Sequence, residues 1–411
     1  MIAVDLHPDD DEVPEVCNSK LAFNVSPDDI VPTIPIPNMP NITITIDKFE
    51  KKGEGINAYI VYKIVTKTDN VLGYSNKEYV VWRRFSDFLG LHEKLNEKYF
   101  HKGILVPAAP EKSFSTLTKT KLNQNVEETN AKARLLQRFC MRIARHPKLI
   151  SDCDFRDFLT MATSLPKANS TAALSSAGVM RMFKSVGDVF TKMAYHMDEN
   201  DRWFESAQQQ VNMDDMEQML SRFLRAFESV ASYRRELASG TESFSKALSM
   251  LASCEENTGL ARALSHFTET HENISQLHNA QAEKDCSVMS EAIHEQLQII
   301  YTLKELFFER VKIWQNWQTA QQNLTKKREL KARHELSGRN DKIEQNVDEA
   351  EREFAEVSKT IRGEYERYLS ERKTDLAAIL SQYINGLLDT QYALLEQWEK
   401  FAPEVHAIAI S

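Results

Sequence analysis

Residues 167–402 contain no proline and only seven glycines. A stretch of 236 residues without helix breakers, rich in Ala, Glu, Gln, Leu, Lys and Arg, has a long-helix composition. Long hydrophobic runs are also missing. Nothing approaches the ~18–20 uninterrupted apolar residues of a spanning helix, and 27% of the chain is charged, too much for a membrane-embedded protein. Cysteine is scarce: Cys17, Cys140, Cys153, Cys254 and Cys286 are scattered and odd in number, so reduced thiols are expected rather than a disulfide framework. The opening Met1-Ile-Ala-Val-Asp-Leu lacks the basic and apolar regions of a signal peptide, which reads as cytoplasmic.

The net charge of −9 is unevenly spread. Residues 1–30 hold eight acids against Lys20, residues 41–160 hold 21 Lys and Arg against 14 Asp and Glu, and residues 161–411 hold 29 against 38. A basic module inside an acidic chain suggests an anionic ligand or surface. The expected plan has four parts. Residues 1–40 are an acidic Pro-rich tail, disordered, holding a partner motif or merely solvated. Residues 41–160 are a compact α+β module, residues 161–198 a linker with an amphipathic helix, and residues 199–411 an elongated all-α domain.

In the basic module, Ile42-Thr-Ile-Thr-Ile alternates, Gly53-Glu-Gly55 reads as a turn, and 58–65 and 78–82 are β-rich. A three-stranded antiparallel meander is the simplest assembly. Ser86 is expected to N-cap a helix over 87–100 that buries Phe88, Leu91 and Leu95, with further helices near 127–146 and 155–159.

Two motifs carry chemistry. Arg83-Arg84-Phe85 ends the third strand where the first helix begins. A guanidinium there can grip a phosphate bidentately beside an aromatic that lies against a sugar-like ring, or it can form a structural salt bridge. In Val106-Pro107-x-x-Pro110-x-Lys112, two prolines stiffen a loop that presents a lysine, though the same string could be a polyproline ligand.

In this order and spacing the two motifs resemble the phox-homology (PX) domain over residues 41–160. The resemblance implies a pocket for phosphatidylinositol 3-phosphate, with Arg84 on the 3-phosphate, Phe85 stacked on the inositol ring and Lys112 on the 1-phosphate. The family's last pocket residue is an Arg; Lys132 stands at that position here, with Arg134 close by. A lysine cannot make Arg's bidentate bonds to two hydroxyls, so selectivity among phosphoinositides is left open. The loop with Phe114, Leu117, Lys119 and Lys121 either dips into the lipid interface or is simply mobile.

Between the domains, Val179, Met182, Phe183, Val186, Val189, Phe190, Met193 and Met197 recur at helical spacing, opposite Arg181, Lys184 and Lys192. This is the pattern of an in-plane membrane helix, or of a helix packed on a flanking domain. Three long helices are expected next, near 199–253, 259–336 and 341–402; the second would be about 115 Å long. Helices of that length belong to an elongated antiparallel coil whose apolar stripe suggests a partner chain. Basic clusters occur at Lys326-Lys327-Arg328, Arg222/Arg225 and Arg234/Arg235, as solvated faces or as a membrane-facing surface.

Long helices behind a PX-like module and an amphipathic linker resemble the BAR domain of sorting nexins. The strings Trp82-Arg-Arg-Phe-Ser-Asp-Phe-Leu-Gly-Leu-His-Glu-Lys-Leu, Asn257-Thr-Gly-Leu-Ala-Arg-Ala-Leu-Ser and Trp314-Gln-Asn-Trp-Gln-Thr-Ala-Gln look like the sorting nexin one and two group of the endosomal coat. What the resemblance implies is a peripheral protein of early endosomes that works with retromer and transmembrane cargo. It would pair as a homodimer or with another sorting nexin and shape tubular carriers. The competing reading is a phosphoinositide-tethered adaptor that recruits partners without bending the membrane. No cofactor, metal or nucleic-acid partner is expected, and no enzyme: no Gly-rich phosphate loop, Gly-x-Ser-x-Gly elbow or His-Glu-x-x-His pair follows residue 160, and Cys140, His146 and Cys153 lack zinc spacing.

Overall fold

A computed structural model of the 411-residue chain describes residues 42–54, 59–71, 73–75, 77–109, 124–163, 201–205, 213–334 and 341–410. All of them fall in one compact unit, Asn38–Ser411. Strands β1 (Ile42–Lys52), β2 (Tyr59–Thr68) and β3 (Glu78–Arg84) form an antiparallel sheet in the order β1-β2-β3, the expected meander. Alternation along β1 sends Ile42, Ile44 and Ile46 inward and Thr43 and Thr45 outward. A bulge at Asp47 then shifts the register, so that Ile46 pairs with Ile64 and Lys48 with Lys63.

Helix α1 (Phe85–Tyr99) follows β3 without a loop. Its cap differs from the expected Ser86. Arg84 occupies the cap position, and its backbone N–H donates to Asp87 Oδ2 at 2.9 Å. Helix α2 (Gln124–Arg145) covers the sheet, and its Gln137 Oε1 accepts the Ile46 N–H left over at the bulge, at 2.9 Å. Helix α3 (Cys153–Thr160) closes the module, capped by Asp152, whose Oδ1 accepts from the N–H groups of Asp154 and Phe155. Ile44, Ile64, Phe88, Leu95, Leu136, Ile143, Phe155 and Phe158 form the core, each fully buried and each contributing ~1.5–3 kcal/mol.

The long helices follow: α4 (Met213–Cys254), α5 (Thr258–Lys284), α6 (Glu291–His334) and α7 (Asp341–Ile410). Asn257 Oδ1 caps α5 through the Leu260 N–H at 2.9 Å. α5 and α6 are one rod joined by a π-helical turn, Asp285–Ser290, which the sequence reading placed inside a single helix. Buried Asp285 in that turn pairs with Arg234 Nε at 2.9 Å and accepts from Gln281 Nε2 at 2.8 Å. Met219, Phe223, Val230, Leu237 and Phe244 on α4, and Leu380, Ile384, Leu388, Tyr392 and Leu395 on α7, are exposed. Spacings of four and seven along α4 and of four and three along α7 put these residues on apolar faces that no part of the described chain covers.

Candidate functional site

The two arginines of Arg83-Arg84-Phe85 are separated by strand parity. Val81 and Arg83 face inward, Trp82 and Arg84 outward. Arg83 is 3% exposed, and its guanidinium donates to the carbonyls of Phe158 (3.0 Å), Asp157 (3.4 Å) and Met161 at the end of α3. Burial lowers its pKa more than neighbouring Asp87 raises it. Arg83 is therefore a structural fastener between β3 and α3. The Arg84 side chain is 54% exposed and ties to Asp87 through Nε at 3.1 Å. Phe85, beside it, packs partly on the core and is partly open.

Lys132 lies on α2, and its Nζ donates to Glu128 Oε1 at 2.7 Å. Arg134 is turned away from the strand end, with Nη2 2.7 Å and Nε 3.0 Å from Glu291 Oε1 on α6. Lys112 lies outside the described residues, as do Val179, Met182, Phe183, Val186, Phe190 and Met193 with Arg181, Lys184 and Lys192. Among potential metal donors, Asp152, Cys153 and Asp154 sit together, but Lys94 and Lys98 already occupy the two carboxylates. Burial would raise Asp154, yet the hydrogen bonds from Lys94 and Lys98 hold its carboxyl below the usual range.

The basic clusters of the helical domain diverge. Lys326 and Lys327 are exposed near the end of α6 and make no ion pair among the described residues. Arg328 pairs with Glu344 at 2.8 Å, across to α7. Arg222 and Arg225 are exposed. Arg234 and Arg235, read as part of a basic surface, turn inward instead, to Asp285 and to Cys286 Sγ (3.0 Å). An unpaired carboxylate at the π turn would be costly to bury, and Arg234 compensates it.

Sequence reasoning missed the junction between the two parts. Arg134, Arg138, Arg142 and Arg145 recur along one face of α2 and meet Glu291, Glu295, Glu371 and Asp375 of α6 and α7. Arg142 is at the centre, 2.7 Å from both Glu295 Oε1 and Asp375 Oδ2. Burial opposes its charge, but Glu295, Asp375 and Glu371 outweigh burial and raise its pKa. At Glu291 burial wins, and the carboxyl is pushed up despite Arg134. The near-fourfold spacing of these arginines was visible in the sequence; their partners, some 150–230 residues away, were not. On the other side, Phe204 is fully buried under Arg310 and beside Phe307, so the chain entering the helical domain is anchored there.

Comparison with known proteins places these features. A family model described as the PX domain matches residues 71–162, and one described as Vps5 C terminal like matches residues 179–404. Sorting nexin-2 of Bos taurus and of Homo sapiens are 40% identical over 383 residues, which is 90% of this chain and 73% of theirs. The chain belongs to the sorting nexins. Sorting nexin-1 of Mus musculus is 38% identical over the same span. The fold is shared with the cryo-EM structure of the SNX-BAR Mvp1 tetramer at a TM-score of 0.60 and 18% identity, covering 87% of this chain and 99% of that one. Sorting nexins that combine PX and BAR domains are non-enzymatic peripheral membrane proteins, so this chain binds phosphoinositide membranes through its PX domain and dimerises and engages curvature through its BAR domain. No helix among the described residues is long and apolar enough to cross a membrane.

Proposed function

We propose that this sorting nexin binds phosphatidylinositol 3-phosphate on early endosomes and shapes tubular carriers for retromer-linked sorting of transmembrane cargo. Its parts would be a tail over 1–40, the headgroup-binding domain over 41–160, a linker and membrane-inserting helix over 161–198, and the BAR domain over 199–411. The supporting observation is the parity split: Arg83 is spent on the fold, whereas Arg84 stands exposed at the strand end beside Phe85. Arg84 would hold the 3-phosphate, Phe85 the inositol ring, Lys112 the 1-phosphate and Lys132 a ring hydroxyl. Val179, Met182, Phe183, Val186, Phe190 and Met193 would enter the leaflet, with Arg181, Lys184, Lys192, Lys326, Lys327 and Arg328 against anionic lipid. Each such cation contributes ~1 kcal/mol, and a dimer multiplies weak sites by ~10²–10⁴.

A second reading, an adaptor that does not bend the membrane, is favoured by one observation. Arg328, Arg234 and Arg235 are engaged within the chain, which thins the basic surface that bending would use. Negative-stain electron microscopy on liposomes with and without phosphatidylinositol 3-phosphate decides. Uniform tubules only with the lipid, lost with Phe183→Glu or Lys326→Glu/Lys327→Glu, support the coat. Decorated round vesicles support the adaptor, and bare vesicles reject headgroup recognition.

A further inference from the structure

The seam between the PX and BAR modules is not filled. Ile104 and Val106 are buried in the PX core, while Leu105 between them enters the aromatic cluster of the BAR domain. Next along the chain, Pro107, Ala108 and Ala109 border a cavity of about 100 Å³, and the two alanines are too small to occupy it. Its walls are mainly apolar and come from both modules: Phe139 of α2, Ile299 of α6 and Tyr368 of α7. One side is open to solvent, which gives a way in. An apolar cavity of ~150 Å³ stays dry and takes benzene, so this space suits a compact ligand of about five to seven non-hydrogen atoms.

Two donors at the wall have nothing to bond. Tyr368 is only 6% exposed, and its buried hydroxyl has no hydrogen-bond partner among the described residues. The Nε–H of neighbouring Arg367 is buried and unpartnered as well. Burial pushes the Tyr368 pKa up, more than Arg372 and Arg142 hold it down, so the phenol keeps its proton and remains a donor. The charges, by contrast, are matched. Arg142 lies 2.7 Å from both Glu295 and Asp375, and Arg367 donates through its Nη atoms to Glu371 and Glu364. An ionised ligand would have to break one of these pairs. A neutral carbonyl oxygen accepts from the free donors without doing so.

We propose that this interdomain cavity binds a small neutral carbonyl compound, a ketone, ester or amide with a compact apolar body, held by the Tyr368 hydroxyl. Phe139 and Pro107 from the PX module and Ile299 from the BAR module enclose that body, so the ligand joins the two modules across their seam. The site is separate from Arg84 and Phe85, neither of which lines the cavity.

The test is ligand-observed NMR of the full chain, with cyclohexanone as the probe and benzene as an apolar control that carries no carbonyl. The parent is expected to bind cyclohexanone saturably, with a dissociation constant on the order of 1 mM, and benzene more weakly. Tyr368→Phe keeps the ring and removes the hydroxyl. It is expected to weaken cyclohexanone at least fivefold and to leave benzene within twofold. Ala108→Phe fills the space and is expected to abolish both. Thermal midpoints are recorded for every variant, and if Ala108→Phe does not fold, Ala108→Leu takes its place. A parent that does not bind cyclohexanone overturns the proposal and leaves the cavity to water. Parental cyclohexanone affinity in Tyr368→Phe overturns it too, as does binding that survives in the filled variant, which would put the probe elsewhere on the chain.

Discussion

Lys132 Nζ lies 2.7 Å from Glu128 Oε1, one turn back along α2, so the lysine proposed to reach a headgroup hydroxyl is already paired. The pair is worth only ~0.3–0.5 kcal/mol to the helix, but it lowers the positive potential offered to an anionic lipid. Glu128→Gln is therefore expected to leave the thermal midpoint within a degree or two and to tighten phosphoinositide binding about two- to threefold. Lys132→Arg is expected to tighten it further, about tenfold, through a second hydrogen bond. Vesicle sedimentation against phosphatidylinositol 3-phosphate measures both, and unchanged affinity in both would remove Lys132 from the site.

Arg83 and Arg84 are adjacent in sequence and opposite in consequence. Arg83→Ala strands the carbonyls at the end of α3, which costs ~1.5–3 kcal/mol for charged hydrogen bonds and somewhat more for lost packing. Arg84→Ala removes only an exposed pair and is expected to cost less than ~1 kcal/mol. Chemical denaturation should thus show a clear fall in stability for the first variant alone. Lipid binding should vanish for the second in a chain that is fully folded.

Acid should loosen the PX domain through His92. Its ring packs near Phe139, and burial lowers its pKa from 6.5 to about 4. The unfolded chain takes up a proton below pH 6.5 while the folded chain does not, so stability present above pH 6.5 is lost as pH falls toward 4. Because the residue is only partly buried, the loss is on the order of 2 kcal/mol rather than the full linkage value. Urea titrations at pH 7.5 and pH 4.5 should show a smaller fall in His92→Gln than in the parent. Equal falls would assign the acid sensitivity to other groups.

The uncovered stripe on α4 and α7 predicts the route to a monomer. Phe223 and Leu237 are about half exposed in the single chain, so glutamate at either should leave helix content unchanged. In the dimer each replaces ~1.5 kcal/mol of apolar burial with a desolvated charge. Phe223→Glu/Leu237→Glu is expected to raise the dimer dissociation constant at least 100-fold by sedimentation equilibrium. A dimer of parental strength would place the partner elsewhere.

The meander, the α1 face and the long rods were legible because alternation and three-four spacing are local signals. The inward parity of Arg83 was not: Tyr79, Val80, Val81 and Trp82 are all apolar, so only the buried Val81 of the folded strand shows that Arg83 points in and Arg84 out. Ser86 as a cap was a fair local inference that lost to Arg84, whose N–H is taken by Asp87, because the helix begins directly at the strand end. The inward turn of Arg234 and the pairing of Arg142 with Asp375 depend on residues far along the chain, and no local pattern encodes them. Sequence spacing located the charges; only tertiary structure assigned some of them to a partner helix or to a buried carboxylate.

The π turn at 285–290 makes the rod's length at this point negotiable. An α-helix advances about 100° per residue, so one residue gained or lost within α5 or α6 would rotate everything beyond it off its neighbours. A π turn already carries one surplus residue as a local bulge. A chain lacking one residue there would close into plain α-helix and still deliver Ile293, Leu297 and Ile300 to their buried places. Asp285 and Arg234 would surrender their pairing, while the two ends of the rod kept their azimuth.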